Sequence, residues 1–475
     1  MLSLVWMRRD LRLDDHAALA TALAGSGNVQ PVFVFDTEIL ARFANKHDRR
    51  LSFIAATLCD IHQKLHARGG GLLVFHGKAQ TLLPKLAQTL GAHAVFSAED
   101  FEPATRARDA AVNAALQSQN IRFVQLLDHL MLAPQQVLKK DRTPYKVFTP
   151  YYKLWRSQIG PTDLAEYTVT DKGRYADAAK LRAQAREAGL EPLTLTSPQA
   201  LLDAIGYHYE KDTRWTVDDV EERLQEFIDK RLRQYPTARD ELDKRGTSEL
   251  SPYLRHGLIS VRACMRAALE QGQGEKWISE LGWREFYASI LYHFPEVVTQ
   301  EFEPKYRGTI AWSHDKKRQE AFMRGETGFP VVDAAVRELL TTGYMHNRAR
   351  MIVASFATKD LLLDWRIGEE FFAQYLMDYE LASNNGGWQW AASTGTDAQP
   401  YFRVFNPLLQ SKKFDPKGDY IREYVPELRG LNSKEIHAPW ASPLTAPKGY
   451  PRPIVDHAQA KARTVEVFRN AAKTR

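Results

Sequence analysis

The strongest constraint on this chain is a change in its hydrophobic period. Through the first 140 residues, short apolar runs alternate with stretches of helical spacing: LSLVWM, HAALATAL, VQPVFVFD, LSFIAATLCDIHQKL, GLLVFHG, TLLPKLAQTL and HAVFSAED follow one another. Short, nearly continuous apolar runs suit strands buried on both faces. Helices between them make the sheet parallel, so residues 1–140 are expected to form a doubly wound α/β domain. Beyond residue 206 the period changes. VDDVEERLQEFIDKRL, ISVRACMRAALEQ, WISELGWREFYASILYHF, FPVVDAAVRELL and ARMIVASFATKDLLL repeat apolar residues at three and four, so residues 206–475 are expected to be all-helical. Between 141 and 205, around DRTPYKVFTPYYKLW and LEPLTLTSP, the pattern loosens and reads as an interdomain connection. A chain of 475 residues exceeds what one core serves, in keeping with this division.

Several functional classes drop out at this level. The run Gly69, Gly70, Gly71 precedes a strand instead of following one, so it marks a helix stop and turn and not a dinucleotide phosphate loop. Two distant cysteines, Cys59 and Cys264, exclude a disulfide framework and a zinc cluster and fit a reducing compartment. The N-terminal MLSLVWMRRDLRLDD turns charged too early for a secretion signal, and no run reaches membrane-spanning length, so a cytoplasmic protein is expected. Lys and Arg total 64 against 58 Asp and Glu, a net +6 that permits an anionic partner without demanding one. No repeat or low-complexity tract is present.

Six of the ten tryptophans, Trp277, Trp283, Trp312, Trp365, Trp388 and Trp390, fall within 114 positions of the helical half. Bulky aromatics fill helical cores, and each alone reads that way. Their neighbours add a second reading. Trp277, Glu280, Arg284 and Tyr287 stand at helical spacing, which gives one face both aromatic and charged character, suited to a ligand. In GYMHNRARM, Gly343 stops one helix and Asn347 opens another; Asn347 and Met351, four apart, offer an amide and a soft thioether to a base edge or a heteroaromatic ring, or else a solvated helix start and a core methionine. His346 lacks a partner at metal spacing and reads as structural. In SNNGGWQWAASTG, Gly386 and Gly387 would let backbone approach a flat ligand, and Asn384 or Asn385 would bond a ring nitrogen. GTSELS, residues 246–251, places hydroxyls before a helix near Pro252, as a phosphate site or as plain caps.

Together, and in order, VWMRRDLRLDDHAAL, PYKVFTPYYKLW, GTSELSPYLRHGLIS, WREFY, TGFPVVDAAVRELLTTGYMHNRARM, DLLLDWR and NNGGWQWAASTGTDAQPYFRVFNP resemble the photolyase and cryptochrome family, above all its microbial class I cyclobutane pyrimidine dimer photolyases. The resemblance implies an N-terminal α/β antenna domain and a C-terminal helical domain holding one FAD non-covalently. It implies light-driven repair of pyrimidine dimers in DNA by a monomer. Matched position by position, Tyr235, Thr247, Ser248, Glu249, Leu250, Ser251, Trp277, Arg284, Arg350, Asp378, Tyr379, Glu380 and Asn384 are expected at the cofactor. Glu380 stands where the family usually has aspartate, which extends that carboxylate by one methylene. Glu280, Asn347 and Met351 are expected against the flipped lesion, with Trp283 and Trp390 as walls, and Arg239, Arg284, Tyr287, Arg348 and Gln410 along the DNA. Trp388, Trp365 and Trp312 match an electron-transfer chain; Asn384 is expected beside the flavin nitrogen protonated on reduction.

The alternative from another class is a cryptochrome-like photoreceptor without repair. Asn384 opposes it, because in that resemblance plant-type cryptochromes place aspartate, and insect-type ones cysteine, opposite that ring nitrogen. A six-four photolyase resembles HHxxRH where this chain reads HNRARM. No metal is expected. The antenna site is left open among deazaflavin, folate, another flavin and no chromophore at all, since the folate contacts of the family are replaced by Thr105, Val298 and Thr299.

Overall fold

The computed structural model describes residues 1–170, 173–218, 220–441 and 447–473. The chain divides into two compact units. One holds Met1–Leu138, Lys153–Asp229 and Glu249–Glu285; the other holds Lys139–Tyr152, Lys230–Ser248 and Phe286–Arg475.

The first unit is built on a five-stranded parallel sheet of β1 (Leu2–Met7), β2 (Asn28–Asp36), β3 (Leu73–Gly77), β4 (Ala92–Ala98) and β5 (Arg122–Leu126), in the order β3-β2-β1-β4-β5. Along β1 the side chains alternate between two cores: Val5 and Met7 join one apolar cluster, Leu4 and Trp6 the other. Both faces are therefore buried, which is why LSLVWM is apolar at all positions but Ser3. Helices Ala17–Ala24, Arg49–Ala67, Ala79–Thr89 and Pro103–Gln117 supply the covering layers. Gly69 adopts φ +78° after the second of these, the turn its sequence announces. Strand order reverses at β1, where the chain continues into Arg8. The Arg8 guanidinium pairs with Asp109 at 2.7 Å, and those of Arg8 and Arg108 each lie 4.7 Å from the Trp6 ring. Deeper, Asp128 receives Arg12 at 2.7 Å and Arg262 at 2.8 Å. Burial alone would raise that carboxyl; these guanidinium groups instead hold it far below the ordinary carboxylate range.

The second unit is helical. Among the described residues no strand lies beyond Leu126, as the change of period leads one to expect. Helices Pro330–Thr342, Asn347–Ser355, Trp365–Tyr375 and Leu381–Ala392 surround a core of Val332, Leu339, Ile352, Phe356, Trp365 and Trp388. Gly343 ends the first of them with φ 69°, a left-handed cap. After Ser355 the helix widens into one π turn, Phe356–Asp360. It carries Lys359 fully inside, donating to the Ala392 carbonyl at 3.1 Å and to Ser393 Oγ at 2.9 Å. Burial pushes the Lys359 pKa well down. The stretch 141–205, irregular by its sequence, contains helices Phe148–Gln158, Pro161–Leu164, Ala178–Glu187 and Pro198–Asp203.

Candidate functional site

In the second unit, His346 precedes the helix Asn347–Ser355 and accepts the Arg348 backbone N–H on Nδ1 at 3.1 Å. Its pKa falls to about 4, chiefly through burial, with Asp240 opposing and the arginines around it assisting. That is the structural histidine expected of it. Asn347 and Met351 do point together, Nδ2 lying 4.0 Å from Sδ, with Asn347 exposed and Met351 half-buried. Arg348 donates to Asp240 Oδ1 at 2.9 Å, and Arg239 stands 3.8 Å from the same oxygen. One carboxylate thus holds two of the arginines expected on DNA. Tyr235 is buried beneath the Arg239 guanidinium, 5.5 Å from ring centre to carbon. The Thr247 carbonyl is held by Arg231 at 2.9 Å, and Gln410 lies half-buried on the helix Pro407–Phe414.

Arg350 donates to Asp378 Oδ2 at 2.8 Å and to the Met345 carbonyl at 2.7 Å. Burial works against its charge, and Asp378 more than restores it, so its pKa rises. NNGG lies inside the helix Leu381–Ala392. On that helix Asn384, 9% exposed, donates through Nδ2 to the Glu369 carbonyl and to Glu369 Oε1, both at 2.9 Å. Its amide oxygen accepts no bond among the described residues. A carboxamide anchored by its N–H groups presents an acceptor, the match for an N–H on a flat heteroaromatic ring. Glu369, which also accepts the Tyr379 hydroxyl at 3.1 Å, was not foreseen. A glutamate fifteen residues away on another helix carries no motif; only packing of the two helices reveals it. Glu380 is buried and accepts the Ser383 hydroxyl at 3.2 Å, so the longer acid is accommodated with a local partner.

Gly386 requires a correction. A Cβ there would lie 2.2 Å from Tyr287 Cδ1, so this glycine admits a tyrosine ring and not a ligand; at Gly387 a Cβ would meet nothing within 4 Å. Trp388 and Trp390, two apart on a helix, fall on different faces. Trp388 is 2% exposed, edge-on to Phe372 at 4.9 Å; Trp390 is half-buried near Phe405. Trp388 and Trp365 share one core cluster, and half-buried Trp312 packs against it.

In the first unit, Trp277 is buried against Phe227, with ring centres 4.9 Å apart. Glu280 accepts from Lys276 at 3.0 Å, Arg284 donates to the His129 carbonyl at 2.6 Å, and Trp283 is half-buried. Arg214 donates to Glu249 at 3.1 Å; Leu250 is fully buried and precedes a helix that starts at Ser251. Glu285, also unforeseen, is buried and accepts from Trp155 Nε1 at 2.7 Å and from the Met131 N–H at 2.5 Å; burial pushes its pKa up to about 7. No group of metal-binding side chains occurs among the described residues, and no helix there is long and apolar enough to cross a membrane.

The donor set suits FAD, with half-buried Arg350 paired to buried Asp378 and a pinned amide offering its oxygen. Comparison with known proteins agrees. Residues 277–470 match the family model described as the FAD binding domain of DNA photolyase, and residues 3–168 match DNA photolyase. A deoxyribodipyrimidine photo-lyase of Synechococcus is 40% identical over 96% of this chain and 93% of its own. Among solved structures, an archaeal photolyase from Sulfolobus tokodaii with two FAD molecules superposes with a TM-score of 0.83 at 30% identity, covering 99% of this chain and 100% of that one. A Synechocystis cryptochrome reaches 0.84 at 26% identity over 98% and 99%.

Proposed function

The chain belongs to the DNA photolyase family, and we propose that it repairs cyclobutane pyrimidine dimers in DNA by light, as a monomer in the cytoplasm. Bound FAD, reduced and excited by blue or near-ultraviolet light, supplies the electron that splits the dimer and receives it back. The observation that carries repair over signalling is Asn384. Its N–H groups are spent on Glu369, which leaves a neutral acceptor for the N–H of a reduced flavin. Aspartate there would bring a charge, and cysteine a poor acceptor. The cryptochrome likeness at 26% shares the fold and does not favour the other reading.

The residues divide the work as follows. Arg350, kept charged by Asp378, steadies negative charge beside the ring, while Tyr235, Thr247, Ser248, Glu249, Leu250, Ser251, Trp277, Tyr379 and Glu380 hold the rest of the cofactor. Glu280, Asn347 and Met351 meet the flipped bases, and Trp283 and Trp390 stack on them. A dimer is already poorly stacked, so extruding it costs less than flipping an intact pair, and stacking at roughly 1–3 kcal/mol per base offsets that cost. Arg239, Arg284, Tyr287, Arg348 and Gln410 hold the DNA backbone. Trp388, Trp365 and Trp312 relay an electron inward when the flavin is oxidised. The α/β part, residues 1–140, is the antenna domain, where a second, light-gathering chromophore would sit if one is bound, and the helical part, 206–475, carries the chemistry.

The test is repair of an oligonucleotide bearing one thymine dimer by flavin-reduced protein, in light and in darkness. Light-only restoration of intact thymines is expected, and Trp283→Ala should weaken binding of that duplex roughly tenfold at unchanged flavin content, about one stacking contribution. Flavin binding without light-dependent repair would replace this reading with the photoreceptor.

A further inference from the structure

The three tryptophans of the proposed relay have unlike surroundings. The Trp388 indole N–H is buried without an acceptor. The Trp365 N–H instead donates to Glu301 Oε1 at 3.3 Å, and that carboxylate is only 3% exposed. Glu301 also receives Arg366 on both oxygens, at 3.0 and 3.1 Å. The same guanidinium contacts Asp364 at 3.0 Å and lies 4.5 Å over the Trp365 ring. A cation on a ring face stabilises the neutral indole and opposes its oxidation. Two carboxylates share that one cation, so the shell of Trp365 carries a net negative charge, with one carboxylate on the atom where an oxidised indole is most acidic. Glu301 itself is buried, where a charge acts strongly, whereas Arg366 and Asp364 reach solvent.

We infer that Glu301 is a positioning residue that makes Trp365 easier to oxidise than Trp388, and so gives the relay its outward direction. This rests on the tryptophan relay proposed above. After Trp388 has lost an electron to oxidised, light-excited flavin, one electron passes from Trp365 to Trp388. Trp388 is restored, Trp365 is left one electron short, and its indole proton stays in the hydrogen bond to Glu301. Trp312 then refills Trp365, and a reductant in solution, such as a thiol, refills Trp312. Without the carboxylate, the guanidinium on the ring would disfavour the first of these transfers. The vacancy would then linger on Trp388 and be annulled by back-transfer.

Glu301→Gln keeps an acceptor oxygen for the indole and removes the charge. In flavin-loaded protein, flash absorption should show the oxidised tryptophan signal moving outward about tenfold more slowly, equivalent to 1.4 kcal/mol in the barrier. The yield of photoreduction should fall with it. The Trp365 indole N–H resonance, assigned by its loss in Trp365→Phe, should move upfield as its acceptor loses charge. Flavin content and repair by chemically reduced protein should stay at parent levels. Asp364→Asn, which preserves the cap on the Arg366 N–H, should slow the transfer in the same direction by less. If Trp365→Phe still photoreduces, the relay itself is wrong. If Trp365→Phe is blocked while Glu301→Gln and Asp364→Asn both match the parent, the role of Glu301 is wrong.

Discussion

Asp240 provides the sharpest test of how the protein holds DNA. Its Oδ1 binds Arg348 at 2.9 Å and lies 3.8 Å from Arg239, so in the free protein two cations proposed to meet phosphates are partly neutralised by one acid. Asp240→Asn keeps the shape and removes the charge. The acid is about a third exposed, so its attraction for a guanidinium lies between the bulk-water and protein-surface limits, about 1 to 4 kcal/mol at 4 Å. Releasing the lower figure raises affinity for duplex roughly fivefold at low salt, whether or not a lesion is present. The shorter contact dominates, so the gain amounts to about one phosphate, and the salt slope should steepen by about 0.9. Between 50 and 200 mM salt the variant should therefore lose roughly 3.5-fold more affinity than the parent. Fluorescence titrations of damaged and undamaged duplex at four salt concentrations measure both quantities. An unchanged slope, or a gain confined to damaged duplex, would refute the assignment of Arg348 and Arg239 to the backbone.

Two further outcomes follow from single side chains. Gly386→Ala should lower the melting temperature by a few degrees: alanine's helix preference of about 1 kcal/mol is outweighed by overpacking against the Tyr287 ring, about 1–3 kcal/mol; a rise in melting temperature would show that the ring yields. His346, with a folded pKa of about 4 against 6.5 unfolded, contributes stability that is complete above pH 6.5 and is lost as pH falls toward 4, because the unfolded chain takes up the proton first. At pH 5 that loss is about 2 kcal/mol, and His346→Asn, which still caps the helix, should show a correspondingly smaller drop in urea stability between pH 7 and pH 5; equal drops in both proteins would refute it.

The sheet was readable because β1–β4 are largely buried on both faces and therefore carry near-continuous apolar runs. β5 was the exception. RFVQL lies at the sheet edge with only intermediate burial, so its polar residues break the run that marks the other strands. Helices such as Pro330–Thr342 announced themselves by period and by Gly343. The helical state of NNGG did not, because two glycines and two asparagines favour a turn locally and only packing of Trp388 and Tyr287 overrides that preference. At the site, residues in contiguous motifs were visible in the sequence. Glu369, Glu301 and Glu285 were not, since each acts through a partner distant in sequence and stands in no motif of its own.

The interleaving of the two units has a consequence for synthesis on the ribosome. The five strands are complete by Leu126, yet their unit also needs Lys153–Asp229 and Glu249–Glu285, while Lys139–Tyr152 belongs with a unit whose largest segment begins only at Phe286. At about 5–20 residues per second, the 147 residues from 139 to 285 take roughly 7–30 s to emerge. For that interval the nascent sheet is incompletely covered and vulnerable to aggregation. Synonymous codons that slow translation between these points would lengthen the exposure, and chaperone demand should peak there instead of at the completed chain.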